Sequence, residues 1–139
     1  METITKEKET TGALNAFFKS LGERDADGVI AHFSEPTFFY ITKSAMLPWT
    51  GARLDRAGVK EALDQLSSAH IAGEDKFEMD HVFVDGEEAA VFGTVSRVVA
   101  MNGRRFSSPF SMRFTFQGGL ITKLLMLEET RKIEDAFIM

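Results

Sequence analysis

Apolar side chains recur at helical spacing in two parts of the first half of the chain. Within residues 10–21 they fall at i, i+3, i+4 and i+7, which places them on one face of a helix. The same spacing follows Asp55, a residue type that often caps a helix. The residues of the two apolar faces are Leu14, Phe17, Phe18 and Leu21, and Val59, Ala62, Leu63 and Leu66. The spacing therefore predicts one helix near the N-terminus and another after Asp55.

Between these two helices the sequence predicts a short helix and a strand. Asp25 ends the turn GERD and is positioned to cap a helix that carries Val29, Ile30 and Phe33. Pro36 is expected to end that helix, because proline removes a backbone donor. Residues 38–41 are aromatic and β-branched, which favours a strand.

From residue 77 the apolar period changes to two, which is typical of strands. Dipeptides that permit the positive φ angles of tight hairpins separate the apolar runs. The predicted strands are 77–84, 88–101, 105–117 and 120–129, and the dipeptides are Asp85-Gly86, Asn102-Gly103 and Gly118-Gly119. Residues 130–137 are expected to form a terminal helical turn.

The element order α-α-β-α-β-β-β-β predicts an α+β fold with helices against one face of an antiparallel sheet. Long strands twist, so a sheet of this length curves. Helices that close the concave side enclose a cone, which side chains fill poorly, and this predicts an internal pocket. No repeat or linker interrupts residues 1–139, so we expect one domain.

Alternation along the strands shows which faces are apolar. The run 105–117 has one apolar face, and runs 88–101 and 120–129 are apolar on both faces. A sheet that is apolar on both faces needs cover on both. We therefore expect helices on one face and a second copy of the chain on the other, giving a homodimer through the outer sheet face. The pocket-lining residues expected on the inner side are Phe17, Phe110, Met112 and Phe114.

Composition narrows the classes of function. The 139 residues carry a formal net charge of −5, and a nucleic-acid partner is not expected, because phosphate binding needs a basic face. The chain has no cysteine, which excludes disulfides and thiolate chemistry. The N-terminal stretch METITKEKETT lacks the apolar run of a signal peptide, and no segment is apolar enough to span a membrane. We expect a soluble cytoplasmic protein without a membrane partner.

Three stretches together resemble a known family: PWTGARLDRAGVKEAL, VDGEEAAVFGTV and MRFTFQGGLITKLLMLEET. The chain is similar over nearly its whole length to the nuclear transport factor 2-like superfamily, and within it to the SnoaL-like and ketosteroid-isomerase-like branch. The resemblance implies a cone-shaped, cystatin-like α+β barrel with a deep pocket, which usually dimerises through its sheet. Members include isomerases, cyclases, dehydratases, epoxide hydrolases and non-catalytic binders, so the fold does not settle the function.

The resemblance also implies where catalytic groups would lie. The positions that a ketosteroid isomerase uses match Ile41, beside Tyr40, together with Phe17 and Phe110. An enolisation needs a base near the working pH and donors at the developing oxyanion. Those positions are apolar here, so steroid isomerisation by that mechanism is not expected.

Of the three catalytic positions that the resemblance implies for an epoxide hydrolase, only one carries an acidic residue in this chain. The hydrolase's arginine and first aspartate match Gly93 and Val95, whereas its second aspartate matches Glu129. Glu129 either caps the terminal helical turn and pairs with a nearby base, or is buried with a raised pKa and transfers protons. Glu128 is its neighbour, and one bulged residue would exchange which of the two faces inward.

Other ionisable residues give weaker signals. His81 alternates with Met79 and Phe83, which predicts that it faces inward, as a hydrogen-bonded core residue or as a second proton-transfer group. His32 and His70 are expected on exposed helical surfaces.

Arginines on the strands are the remaining candidates for buried charges. Arg97 and Arg113 are expected on the more polar faces of their strands, in surface or interface ion pairs. No metal-ligand spacing and no glycine-rich phosphate loop is present, so neither a metal nor a cofactor is expected.

The stretch 38–51, FFYITKSAMLPWTG, holds the only tyrosine and the only tryptophan. Tyr40 and Trp49 have apolar bodies and polar tips, which suit the wall or mouth of a pocket. We expect Phe38 in the core and both of these residues at the pocket or its entrance. Ordinary core is the alternative for Trp49.

Two hypotheses of function follow. The first is a binding protein that holds a small apolar or cyclic molecule in an internal pocket. The second is a lyase, isomerase or hydrolase of polyketide- or steroid-like substrates that uses Glu129 or His81 for proton transfer. A protein-binding module would instead need an exposed apolar sheet face in the dimer.

Overall fold

The computed structural model describes residues 2–138, and the side chains of residues 5–138. The chain forms a curved, unclosed six-stranded sheet with four helices. The helices are α1 (Glu2–Gly22), α2 (Ala26–Ile30), α3 (Arg56–Ala69) and α4 (Thr130–Phe137). The strands are β1 (Phe33–Ile41), β2 (Gly51–Arg53), β3 (Lys76–Asp85), β4 (Glu88–Val98), β5 (Arg105–Gln117) and β6 (Leu120–Glu128).

The sheet order is β2-β1-β6-β5-β4-β3. Strands β3 to β6 form the antiparallel meander that the turn dipeptides predict, and β1 returns parallel to β6. The α+β class with a curved sheet under helices is therefore confirmed. Strand β4 ends at Val98 rather than residue 101, because Val99 and His70 form an isolated bridge instead.

The boundary between α2 and β1 differs from the prediction. Asp25 caps α2 through its Oδ1, which accepts a hydrogen bond of 3.0 Å from the Gly28 N–H. The helix ends at Ile30, however, and Phe33 begins β1 with its ring fully buried. Pro36 lies inside that strand, where the pairing with β6 is irregular between Phe33 and residue 38. Proline is tolerated at such a bulge because no ladder hydrogen bond is lost there.

Helix α1 is longer than the apolar stripe that predicts it. It begins at Glu2 rather than near Thr10, and its first turns carry charged side chains that give no periodic signal. The Thr10 hydroxyl donates a hydrogen bond of 2.7 Å to the carbonyl oxygen of Gly86, which ties the helix to the β3–β4 turn. The three-residue strand β2 is also absent from the sequence-based prediction.

The concave side of the sheet is packed with aromatic rings. Phe110 is 4% exposed and Phe114 is fully buried, as the alternation along β5 predicts. The Phe17 ring lies 5.4 Å from that of Phe114, and the Phe77 ring lies 4.5 Å from that of Phe110. Phe17 and Met112 are buried as well. The phenylalanine rings contact one another and fill the centre of the concave side of the sheet.

The opposite, outer face carries a row of side chains that crosses four strands. We define the outer apolar row as His81, Phe92, Ser111 and Leu127, which are paired in register across β3, β4, β5 and β6. Phe92 is 42% exposed and Leu127 is 50% exposed. The Phe83 ring lies 6.1 Å from that of Phe92 and extends the apolar surface. The two-sided apolarity of β4 and β6 therefore leaves large side chains open to solvent in one protomer.

Candidate functional site

Three buried polar atoms lack a hydrogen-bond partner among the described residues. They are Nε2 of His70, Nε of Arg97 and Oε2 of Glu128. Buried polar groups are nearly always paired, so each unpaired one calls for an explanation, such as a role toward a ligand. The three residues come from the end of α3, from β4 and from β6, and they define the candidate site.

His70 is held firmly and in one tautomer. The residue follows α3 and is 5% exposed. Its Nδ1 lies 2.7 Å from the Leu66 carbonyl oxygen. Because a carbonyl oxygen only accepts, Nδ1 carries the proton. Burial lowers the pKa of His70, which favours the neutral imidazole, so its Nε2 presents a lone pair.

Aromatic rings surround that imidazole. The ring centroids of Trp49, Phe106 and Phe137 lie 5.3, 5.7 and 5.5 Å from that of His70. These contacts fix the orientation of the imidazole and exclude water from its surroundings. The result is a basic nitrogen in an apolar environment, a setting in which hydrogen bonds are strong.

Arg97 lies on the concave side of β4, on the same face as Val91 and Val95. Its side chain is 13% exposed, and its Nε is 3.7 Å from Oδ2 of Asp75. That separation is an ion pair but exceeds hydrogen-bond length, so the Nε–H remains available. Asp75 is shared with Arg24, whose Nη2 is also 3.7 Å away.

Glu128 is the last residue of β6 and lies on the concave side, on the same face as Leu124 and Met126. Its Oε2 is sealed from solvent. Burial raises the pKa of this carboxyl, and the charge of Arg97 acts in the opposite direction. A desolvated carboxyl of this kind favours its neutral form and suits proton exchange.

Arg97 is the common neighbour of the other two groups. Its charge lowers the pKa of His70 and also lowers that of Glu128, in both cases as a smaller effect than burial. The register explains the placement: Glu128 pairs with Phe110 in the ladder, and Arg97 pairs with Phe106 on the same face of β5. The site therefore combines a fixed cation, a neutral imidazole and a desolvated carboxyl.

A groove on the surface lies directly outside this site. It is open to solvent, has a volume of about 460 Å³, and is lined by Met46, Pro48, Trp49, Asp64, Gln65, Ser68, Ala69 and Phe137. Trp49 and Phe137 contact each other at 5.5 Å and separate the groove from His70. Movement of these two rings would connect the groove to the interior.

The structure corrects the placement of Glu129. Of the two placements left open by the sequence, Glu129 has the surface one and Glu128 faces the interior, because β6 pairs with β5 without a bulge from Leu124 to Glu128. The proton-transfer role considered for Glu129 required burial, and the structure does not give it. Glu129 is exposed at the N-terminal end of α4, with its Oε2 3.9 Å from Nζ of Lys132. Its backbone N–H donates to the buried Ser108 hydroxyl at 2.9 Å.

The inward placement of His81 is also wrong. Strand β3 has a register shift between Met79 and His81, and one extra residue exchanges the two faces of a strand. His81 therefore lies opposite Phe92 on the outer face, stacked on Phe83 at 6.0 Å.

The tyrosine and the tryptophan of the 38–51 stretch have different surroundings, one on the outer face of the sheet and the other in the interior. Phe39 and Ile41 point inward, so Tyr40 and Phe38 lie on the outer face, contrary to the prediction for both. The Tyr40 hydroxyl accepts a hydrogen bond of 3.2 Å from the Lys43 N–H. Trp49, in contrast, is buried beside His70 and also lines the groove.

Sequence reasoning missed one of the three site residues and misplaced another. His70 was expected to be exposed, which is wrong. Arg97 was a candidate for a buried charge in an ion pair, and it does pair with Asp75, but it lies on the concave face of β4 and not on the polar face. The sequence did contain a signal that Arg97 faces inward, because it lies an even number of positions along the same strand from Val91 and Val95. His70 gave none, since its burial depends on β4 and α4, which are distant in sequence.

Two negative findings apply to the described part of the chain. No three histidine, aspartate or glutamate side chains are grouped as a metal site within residues 2–138. No helix in that range has the length and apolarity needed to cross a bilayer.

The chain belongs to the SnoaL-like domain family, whose profile matches residues 14–124. This stretch includes His70 and Arg97, and Glu128 lies four residues beyond its end, on β6. The chain matches no curated protein in sequence.

Solved structures share the fold at low sequence identity. A nuclear transport factor 2-like protein of unknown function from Burkholderia pseudomallei aligns with a TM-score of 0.85 and 18% identity, over 94% of this chain and 98% of that one. Another such protein, from Burkholderia xenovorans, gives 0.79 and 18%, over 95% and 98%. TerC, co-crystallised with polyporic acid, gives 0.81 and 19%, over 92% and 97%. These similarities establish the nuclear transport factor 2-like fold.

Replacing Glu128 by glutamine should stabilise the protein at neutral and alkaline pH. Burial raises the pKa of Glu128 above the ordinary value of 4.5, so the folded state holds this proton more tightly than the unfolded state. The free energy of unfolding then falls as pH rises above about 4.5 and stays lower beyond the folded-state pKa. Glu128→Gln removes this loss. Melting temperatures should agree near pH 4 and favour the variant at pH 8.

The neighbouring glutamate provides the matched control. Glu129→Gln changes an exposed carboxyl, and its melting temperature should follow that of the parent across the same pH range. A constant difference between Glu128→Gln and the parent at every pH would show that Glu128 is not desolvated.

Proposed function

We propose that the protein binds a small apolar or cyclic molecule in its interior, with one end of the molecule at His70, Arg97 and Glu128. The observation that carries this proposal is the group of three buried polar atoms without partners at one end of an apolar core. Ligand sites commonly combine a mostly apolar lining with a few polar groups that fix orientation. A bound molecule that satisfies these atoms would remove the cost of leaving them unpaired.

The apolar part of the ligand would lie against flexible and aromatic side chains. Trp49, Phe106 and Phe137 surround the polar end, and Met112 and Met126 lie on the same concave side. Methionine adapts its shape readily, so such a wall can open space for a ring. Access would run through the groove beside Trp49. The fold relative TerC was crystallised with polyporic acid, which supports the choice of cyclic molecules as first candidates.

Binding should appear in two independent signals. A saturating ligand raises the melting temperature by mass action. Trp49 is the only tryptophan and contacts His70, so occupation of the site should also change its fluorescence. We expect apolar carboxylates or polyketide-like rings to do both. A Trp49→Phe variant should lose the fluorescence change and keep the thermal shift. If no compound gives either signal, the proposal of an interior ligand site is wrong.

A catalytic role is the second candidate, and the desolvated Glu128 carboxyl favours it. Proton transfer cannot be assigned to Glu129 or His81, because both lie on the surface. Glu128 as acid and the Nε2 of His70 as base would serve a lyase or isomerase reaction. Each bound compound should be recovered from heavy water and examined for exchanged carbon-bound hydrogen. Exchange that Glu128→Gln abolishes would favour catalysis, and unchanged recovery would favour binding alone.

We also propose that two copies of the chain associate through the outer sheet face. The outer apolar row and Phe83 expose three large apolar side chains on that face, Phe83, Phe92 and Leu127, with Ser111 between the last two. Exposed apolar surfaces of this kind are typical of interaction sites. A two-fold arrangement would place the same row against itself, which is the commonest symmetry of homodimers.

A further inference from the structure

The three unpartnered atoms differ in what they require from a ligand. Nε2 of His70 is an acceptor, because Nδ1 already donates to the Leu66 carbonyl oxygen at 2.7 Å. A ligand must therefore donate a hydrogen bond at this point. Among neutral groups on small rings, a hydroxyl is the simplest donor that can approach a buried nitrogen.

Arg97 requires the opposite. Its guanidinium can only donate, and its Nε–H has no acceptor within hydrogen-bond distance, since Asp75 is 3.7 Å away. A ligand must therefore offer an oxygen here. Glu128 lies within electrostatic reach of the same guanidinium, and in its protonated form it can donate to that oxygen as well.

The local charge favours an oxygen that is partly or fully negative. Two arginines, Arg24 and Arg97, share the single carboxylate of Asp75 at 3.7 Å each, and of the two only Arg97 is largely shielded from solvent, with its side chain 13% exposed. The buried guanidinium of Arg97 is therefore not fully balanced by Asp75. In surroundings of low polarity such a charge attracts a carbonyl dipole or a carboxylate strongly. Aromatic rings beside His70 suit a planar ring between the two polar ends.

We propose that the ligand is a small aromatic or cyclic molecule that carries both a hydroxyl group, which donates to Nε2 of His70, and a ketone or carboxylate oxygen, which accepts from Nε of Arg97. This inference rests on the proposed function and deepens it by naming the ligand class. A molecule with only one of the two groups leaves one buried atom unpaired, and a site built for a polar group discriminates against analogues that lack it.

The test compares matched single-ring probes by titration calorimetry. Meta- and para-hydroxybenzoate carry both groups at two spacings. The corresponding methoxybenzoates cannot donate, benzoate lacks the hydroxyl, and phenol lacks the acceptor. The hydroxyacetophenones replace the carboxylate by a ketone and so distinguish the two acceptors. We expect the better hydroxybenzoate or hydroxyacetophenone isomer to bind at least about tenfold more tightly than its methoxy analogue and than phenol.

Two variants should remove the two preferences separately. Arg97→Met should abolish the preference for the acceptor-bearing probe over phenol and keep the preference for hydroxyl over methoxy. Arg97→Lys, which keeps the charge, should retain part of the acceptor preference. His70→Phe should abolish the hydroxyl preference alone. The control is Arg131→Met, which removes an exposed arginine on α4 and should change neither preference.

Each outcome decides a different point. Equal affinity for hydroxyl and methoxy probes, or an acceptor preference that survives in Arg97→Met, overturns the ligand class and leaves the interior site standing. If neither these probes nor the broader set of rings binds, the proposed function fails, and the ligand class fails with it. Should His70→Phe not fold, the comparison of hydroxyl with methoxy probes on the parent protein still decides the donor group. Arg97→Lys keeps the charge beside Asp75 and still tests the acceptor group if Arg97→Met does not fold.

Discussion

Gly93→Ala should be strongly destabilising, with a loss of roughly 3 kcal/mol in the free energy of unfolding. A Cβ atom at Gly93 would lie 1.9 Å from the Glu78 carbonyl oxygen and 2.9 Å from Cζ of Phe110. The first of these atoms is backbone and cannot rotate away. The close approach arises where β3 shifts register between Met79 and His81. Either the bulge or the Phe110 ring would have to move.

Chemical denaturation and thermal melting would measure this effect, which should lower the melting temperature by about 10 °C for a chain of this size. Gly12→Ala is the matched control. Gly12 is exposed on α1 and has no atom within 4 Å of a Cβ position. Alanine there should stabilise the helix by about 0.5–1 kcal/mol. A Gly93→Ala protein as stable as its parent would show that β3 does not pass Gly93 this closely.

Phe92→Asp should convert the expected homodimer into a monomer. Phe92 lies in the centre of the outer apolar row and is 42% exposed in one protomer. Burying the exposed part of Phe92, less than half of the side chain, contributes about 1 kcal/mol, and two-fold symmetry doubles the loss to about 2 kcal/mol, or roughly thirtyfold in the dissociation constant. A charge placed in the interface adds a desolvation cost. Sedimentation velocity at micromolar concentration measures the change.

Met101→Asp serves as the control, because Met101 is exposed in the β4–β5 turn and lies outside the row. It should sediment like the parent, and circular dichroism should show both variants folded. A parent that sediments as a monomer would remove the basis for the dimer. A Phe92→Asp dimer would place the interface on another surface.

Periodicity was sufficient to predict those features of the fold that depend only on which side chains share one face of a single helix or strand. The inner stripe of α1, the strands β3 to β6 with their glycine turns, and the inward side of β5 all agree with the sequence-based prediction. The resemblance to the SnoaL-like family is confirmed over most of the chain. Each of these features follows from local spacing, because a period of 3.6 or of two residues specifies which side chains share a face.

Where the periodic signal was interrupted or ambiguous, contacts in the tertiary structure determined the element and the face on which a residue lies. Phe33 fits a helical stripe, yet it lies in a strand because Phe17 and Phe39 pack on both sides of it at 6.0 and 5.8 Å. One bulged residue in β3 places His81 outside, and the absence of a bulge in β6 places Glu128 inside. A single-residue shift reverses a face without changing composition, so the sequence does not reveal it.

The candidate site shows the same division. The sequence by itself determined an apolar cone with few polar residues in reach, because the phenylalanines of β5 share one face. Only the tertiary structure brought His70 from the end of α3, Arg97 from β4 and Glu128 from β6 to one end of that cone. Their meeting depends on strand register and on the closure of α4 over Trp49. Both are set by contacts between residues far apart in the chain, which no local pattern encodes.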